Sequence, residues 1–389
     1  MSERDATAAA VYAKWAPPAL SSRGMQGLRL IVPAAWLLGG LAAAPAVAAD
    51  AQAAPAATTL GDLLTSAGIA VNGYVAASYY HSSGYNSFHE FDLKHDTFQL
   101  DQAGVSIGYE PKEGFGALVD LVAGEDARVL NFAENGSEGV FNVRQAYLQY
   151  AAGLLIVMGG KFTTLAGEEY SNLTSDTNFS RSLLFFAEPL THTGVRVSFA
   201  ASSALNLMAG VNNGWNTTST SYDGKTAELG AAFTPSKQLS LNLLGYFGRT
   251  PGFDATRSFV DFVGSYNFTE PLSLAVSYDW GKQQQRTGPA LNWDGIATYL
   301  NYAFDGAWRL SLRAEYLNDK DGFNTGTSQK LREGTVTCGY SPSKSFELRL
   351  EARYDKSDRA TFVNALVAGV PATFDDHQSE LAVQGVLKF

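Results

Sequence analysis

Four arginines alternate with acids along two stretches of this sequence. Arg309 and Arg313 share "WRLSLRAEY" with Glu315, and Arg349 and Arg353 share "FELRLEARYD" with Glu347 and Glu351. A spacing of two puts each set on one face of a strand. Such a face can bind anions, neutralise itself by cross-strand pairing, or line a wet passage whose clustered charges tune ion selectivity. A second charged stretch has a different character. "TTLAGEEYSNLTSDTNFSRSLLFFAEPL" holds Glu168, Glu169, Asp176, Arg181 and Glu188, and also Leu183 to Phe186, too apolar a run for a loop in free solvent. Long loops are usually functional or disordered, and the apolar run argues against disorder. The expected role is a loop folded inward against a wall, with Glu168, Glu169 and Arg181 on its polar rim. Acid on the loop would then face base on the wall. The sign of the resulting selectivity stays open, since net acidity favours cations and the arginines favour anions.

Other motif-like strings carry less. "GVSIG" (Gly104 to Gly108) matches Gly-x-Ser-x-Gly, but a nucleophile elbow needs a strand–turn–helix, and Ser106 stands in mid-strand between Val105 and Ile107. His81, Ser83 and Asn86 have the residue types of a barrel lipase site without any support for a base oriented beside the nucleophile. His81, His89 and His95 fit no tight ligand spacing. The expectation is no catalytic residue, no resident metal and no cofactor.

The elements that must position these residues are strands. "LSLNLLGYFG", "PLSLAVSYDW", "WRLSLRAEY" and "FELRLEARYD" each alternate apolar and polar residues over nine or ten positions as quoted, and the strands they belong to are expected to run ten to thirteen. Strands in soluble proteins average about five or six, whereas a tilted strand needs about 9–11 to cross a bilayer. Seven tight turns each follow an aromatic, at Tyr109, Tyr150, Phe199, Phe233, Phe268, Phe304 and Tyr340, with Pro, Gly, Ser and Asp supplying the turn chemistry. Eight longer polar connections lie between them, at about 82–94, 124–140, 162–190, 214–224, 249–256, 283–291, 319–328 and 356–375. Seven turns and eight loops join sixteen strands. The layout predicts an all-β, 16-stranded antiparallel transmembrane β-barrel with short periplasmic turns, long extracellular loops and an aromatic belt. A propeller blade packs four short strands into a period of 35–40 residues; here two long ones fill it.

The chain ends "SELAVQGVLKF", with Leu381, Val383, Gly385, Leu387 and Phe389 on one face. An apolar strand at a free end is a liability in water. Pairing with the first strand, near Ile69 to Tyr80, would remove both edges, and lipid would cover the apolar face. Leu387 and Phe389 resemble the terminal signal read by the barrel-assembly machinery of bacteria.

At the start, "RGMQGLRLIVPAAWLLGGLAAAPAVAAD" reads as a signal peptide over residues 1–49, with Met25 a candidate true start. An N-terminal membrane anchor is the alternative, but Pro33 and two glycines break a short apolar run. Residues 50–68 read as a short periplasmic segment and 69–389 as the barrel. Cys338 is the one cysteine, so no internal disulfide forms. With 38 acids against 28 bases, the charge argues against nucleic acid.

At "NVRQAYLQY", "VMGGKFTTLAGEEY", "NFSRSLLFFAEPLTHTGVRVSF" and "VNNGWN" the sequence resembles the OmpL-like β-barrel porin family, from about Gly61 to Phe389. Gly160 to Gly194 carries the most specific part, with Phe179 where a Tyr is expected. The resemblance implies an outer-membrane porin of Gram-negative bacteria and brings no agreed substrate. The expected function is passive diffusion of small hydrophilic solutes or ions through a water-filled barrel narrowed by loop 162–190. An outer-membrane enzyme and a plugged receptor or structural barrel are the alternatives. The expected partners are outer-membrane lipid, the assembly machinery, the solutes and further copies of the chain.

Overall fold

A computed structural model describes residues 59–221, 223–249, 255–367 and 370–389. The expected signal peptide therefore lies outside the described residues. The strands are β1 (Ile69–Ser82), β2 (Thr97–Tyr109), β3 (Gly114–Ala123), β4 (Phe141–Ala152), β5 (Leu155–Thr163), β6 (Thr191–Ala200), β7 (Leu205–Asn212), β8 (Thr226–Phe233), β9 (Leu239–Arg249), β10 (Thr256–Asn267), β11 (Leu272–Gln283), β12 (Leu291–Ala303), β13 (Trp308–Asp319), β14 (Gln329–Ser343), β15 (Phe346–Ser357), β16 (Phe362–Val367), β17 (Val370–Asp375) and β18 (His377–Lys388). Each of β1 to β15 pairs antiparallel with its chain neighbour; β18 pairs with β15 on one side and β1 on the other, closing a sixteen-stranded barrel. Among the described residues no helix is long and apolar enough to cross a membrane.

Alternation sets which way each residue faces. On β15, Leu350 and Tyr354 point outward while Glu347, Arg349, Glu351, Arg353 and Asp355 point into the lumen. The outward aromatics Tyr109, Tyr150, Phe199, Phe233, Tyr266, Phe268, Tyr302, Phe304 and Trp308 gather beside the short turns. Their apolar bodies and polar tips suit the headgroup level. β7 and β8 are shorter than the sequence suggests, at 8 residues each. β7 stops at Asn212 because Gly214, at φ 113°, turns the chain in a way few other residues tolerate.

Three elements lie off the barrel wall. α1 (Leu60–Ser66) precedes β1, opened by a capping box of Thr59 and Asp62. α2 (Glu125–Asn135) fills the connection after β3 and ends on Gly136 in the left-handed region. β16 and β17 form a hairpin in the last loop. In the sequence 124–140 and 356–375 show only as connections, since strand alternation is silent there; the structure places the helix and the hairpin in them.

The seam answers the question posed by the apolar chain end. Tyr74 to Ser82 pair with Lys388 back to Glu380. Gly73 and Phe389 exchange two backbone hydrogen bonds, both 2.8 Å, and a Cβ at Gly73 would strike the Phe389 ring. Each such bond contributes ~0.5–1.5 kcal/mol in water, and more where no water can replace it. Deleting Phe389 should therefore lower the temperature at which the folded barrel loses its compact mobility on cold SDS gels. Gly73→Val, which pushes the ring aside, should act in the same direction; unchanged mobility in both would show that the seam does not limit stability.

Candidate functional site

The chain leaves β5 and folds into the barrel over 164–190, where Thr164 N–H donates to the Leu190 carbonyl at 3.1 Å and closes the neck. Much of this loop organises itself. The Asn172 side chain starts a 3₁₀ turn at Leu173–Ser175. The Ser182 hydroxyl accepts from Phe185 N–H at 2.9 Å and starts α3 (Leu183–Phe186). Arg181 donates to the carbonyls of Tyr170 and Phe179 and pairs with Asp176 at 3.0 Å.

An irregular backbone at membrane depth has orphan amides and carbonyls, tolerated only where protein supplies partners. The walls of β13, β14 and β15 supply them. The Glu315 carboxylate accepts from Leu183 N–H at 3.0 Å and Leu184 N–H at 3.3 Å. Glu351 accepts from Phe179 N–H at 2.6 Å and Ser180 N–H at 2.9 Å. Arg349 donates to the carbonyls of Leu173, Asp176 and Asn178. Arg353 donates to the Arg181 carbonyl at 2.5 Å and pairs with Asp355 at 2.9 Å. Arg313 reaches Glu169 and the Ser180 carbonyl, both at 2.8 Å, and Glu315 and Glu333, both at 3.3 Å. Acids thus take amides and arginines take carbonyls.

This arrangement differs from a plain opposition of loop acid to wall base. Glu169 meets the wall arginine Arg313 directly. Glu351 binds loop amides rather than a neighbouring arginine. Among the described residues Arg309 has no bond to the loop but shares Glu347 with Arg349, at 2.6 Å and 3.0 Å. Of the three residues expected at a polar rim, Glu168 keeps partial exposure, whereas Glu169 and Arg181 are only 5% and 2% exposed. Their charges are taken up by Arg313 and Asp176 before water reaches them. Glu188 faces the other way, towards Asp261 on β10 and Asp279 on β11.

The lumen is less polar than the alternation implies. Leu183, Ala187 and Ala166 of the loop join Met208, Leu244, Tyr246, Phe259, Trp293, Leu317, Leu331 and Phe362 in a buried apolar cluster inside the barrel. Leu173 packs on Tyr74, Ala76 and Val386 at the seam. Arg257 lies over the rings of Trp215 and Phe323, at 4.5 Å and 4.7 Å. Asp355 belongs to the polar face of "FELRLEARYD", and the same alternation puts Glu333 inward on β14, although nothing in the sequence singles Glu333 out. Trp215 and Phe323 lie in connections between strands, where alternation carries no signal.

The first long loop, 83–96, covers the neighbouring strands. His89 lies between Asp92 on its Nδ1 and Asp355 at 3.0 Å on its Nε2, and Asn86 bonds Glu380. His81 and His95 instead bracket Asp96 at 2.6 Å and 2.7 Å in an exposed position, so the three histidines do not converge. Ser83 is bonded to Ser379, whose N–H donates to its hydroxyl at 3.0 Å; Ser106 sits in β2 opposite Asp120. Neither serine has a histidine as its partner. Burial and the Arg353 guanidinium push the His89 imidazole down, but Asp92 and Asp355 outweigh them and raise it above its ordinary value. Burial pushes the Asp92 carboxyl up, while His89 brings it down to about 2.

Fold, apolar belt and inward-folded loop define a class: the outer-membrane channel barrel. The chain belongs to the family described as "Putative beta-barrel porin-2, OmpL-like", whose model matches residues 68–389, and its place is the bacterial outer membrane. Solved structures share the architecture at low identity. They include OmpT of Vibrio cholerae in trimer form (15% identity, TM-score 0.58, covering 82% of this chain and 99% of that one). An anion-selective porin from Comamonas acidovorans gives 12%, 0.57, 82% and 99%. OprB of Pseudomonas putida gives 11%, 0.57, 84% and 96%. None of the curated proteins compared matches the chain.

Two outcomes are expected. Arg313→Ala leaves Glu169, Glu315 and Glu333 without their shared cation, a loss of ~3–5 kcal/mol for a broken buried pair, measurable by urea unfolding in lipid vesicles. The His89 clamp follows pH with a definite sign. A raised His value contributes fully below the unfolded imidazole value of about 6.5 and is lost as pH climbs through the folded one. The depressed Asp92 contributes above its unfolded value of about 3.9 and is lost on falling through the folded one. Amide exchange across 83–96, corrected for its intrinsic pH dependence, should be slowest between these limits and quicken under alkaline conditions; His89→Gln should flatten that profile.

Proposed function

We propose that this porin passes small hydrophilic solutes or ions by passive diffusion and that loop 162–190 sets the width of its path. The observation that carries the reading is the seating of that loop. Its backbone is bonded to Glu315, Arg349, Glu351 and Arg353 of the inner wall, so it is held across the lumen. Sixteen strands enclose more space than side chains alone fill, and an inward loop is what remains to restrict it. Partly exposed Glu168 and Arg309 supply charges of both signs to the path, and Arg309 and Arg349 border a cavity of about 290 Å³ with Lys344 and Lys388. Partners on this reading are outer-membrane lipid around the belt, the barrel-assembly machinery at Leu387 and Phe389, and further copies of the chain, as in the OmpT trimer form.

A second reading has an observation of its own. The apolar cluster around Phe259 and Trp293 is buried within the barrel, and a barrel so filled would suit a receptor or scaffold. Planar bilayers separate the two. The porin reading expects steady single-channel steps from the wild-type protein, a reversal potential in a salt gradient, and a larger conductance after deletion of residues 170–185. Silence from the wild type with steps only after the deletion would favour the plugged barrel. Conductance unchanged by the deletion would place the loop outside the path.

A further inference from the structure

We propose that Glu188, Asp261 and Asp279 bind a hard divalent cation, calcium by preference, which fastens loop 164–190 to the β10–β11 wall. Asp261 and Asp279 are direct cross-strand partners, and both are fully buried. Glu188 descends onto them from the loop, and one oxygen of each carboxyl lies within 4.8 Å of the others. Like charges directly opposite one another destabilise a sheet, and ionised carboxylates without compensation are costly to bury.

Several buried acids of the lumen have cations: Asp120 has Arg144 at 2.7 Å, Glu228 has Arg196 at 2.8 Å, and Glu169 has Arg313 at 2.8 Å. Others have neutral donors, as Asp101 has Ser78 and Gln384, and Asp126 has Gln102. Among the described residues Asp279 has neither kind. The Ser277 hydroxyl donates to Asp261 Oδ1 at 3.4 Å. Asp279, with none of its surface exposed, has no donor on either carboxylate oxygen, and Glu188 Oε2 has none either. The loop is also shaped around Glu188. Gly167 holds φ at 76°, and a Cβ there would stand 2.8 Å from the Glu188 carboxyl carbon.

Oxygen donors alone, with no His or Cys, select hard cations over zinc or copper. Calcium accepts irregular carboxylate sets, whereas magnesium demands near-ideal octahedral geometry and usually keeps several waters. Three carboxylates from three chain segments would then compensate one ion. The ion would be a second fastening for the loop, opposite the one on β13–β15. This proposal does not depend on the transport reading.

The competing resolution is shared protons among the three carboxyls. The test uses the full barrel folded from denaturant into lipopolysaccharide-free detergent, with calcium present during folding so that burial does not bar entry. After equilibrium dialysis against about 1 mM calcium, near the weak end of known sites, bound metal is counted by mass spectrometry. The wild type should retain about one calcium per chain, and Asp279→Asn and Glu188→Gln should retain none. Folding with a chelator instead should speed protease cleavage within 164–190 by about tenfold in the wild type, the effect of an order of magnitude in loop opening, and leave both variants unchanged. Either variant suffices if the other fails to fold. Wild-type barrels free of calcium, or variants that retain it as the wild type does, would overturn the proposal in favour of shared protons.

Discussion

Every backbone amide and carbonyl at membrane depth needs a partner that water cannot provide. The closed sheet satisfies this for the strands, down to the two hydrogen bonds between Gly73 and Phe389 at the seam. The same demand falls on loop 164–190, which has no regular ladder. Its groups are met by side chains of the wall, and this explains why one short arc of the barrel carries acids and arginines at alternate positions. Glu315 and Glu351 serve amides; Arg349 and Arg353 serve carbonyls. Charge of both signs on one face reads as a field across a pore until the loop is in place. It then reads mainly as a socket.

Burying so many charges is costly unless each is matched. Arg313 gathers Glu169, Glu315 and Glu333 within 3.3 Å, and Arg353 gathers Asp355 and the Arg181 carbonyl. Around this network the apolar residues of the loop meet inward Leu, Phe, Tyr and Trp side chains, so the barrel holds a small apolar core of its own. The outer surface faces lipid, which contributes no hydrophobic drive between side chains. Loop and wall therefore stabilise one another from within.

The barrel was legible in the sequence because its rule is local. Alternation marks faces, an aromatic followed by Pro, Gly or Ser marks a turn, and together they placed all eight long connections within a few residues of those between the barrel strands. The burial of Leu183 to Phe185 was legible too, since such a run needs cover. Which wall group takes which loop atom was not legible. Glu351 binds Phe179 and Arg313 binds Glu169 across more than a hundred residues of chain, and nothing in the spacing of either segment encodes the other. The apolar cluster escaped for a related reason. Tyr246 and Phe259 meet as cross-strand partners, while Trp215, from the connection after β7, joins Phe259 to Trp293 on β12, and nothing in the strand pattern announces that contact. α2 and the β16–β17 hairpin lie in connections where the barrel pattern is silent.

The central claim is that alternate residues of these strands face lipid and an enclosed lumen in turn. Spin labels placed singly along β10 from Ser258 to Gly264, in protein folded into bilayers, test it directly. Collision with dissolved oxygen should peak at Ser258, Val260, Phe262 and Gly264 and fall at Phe259, Asp261 and Val263, a period of two along the strand. A flat profile, or one in which a water-soluble nickel complex reaches Val260 and Phe262 freely, would contradict the account.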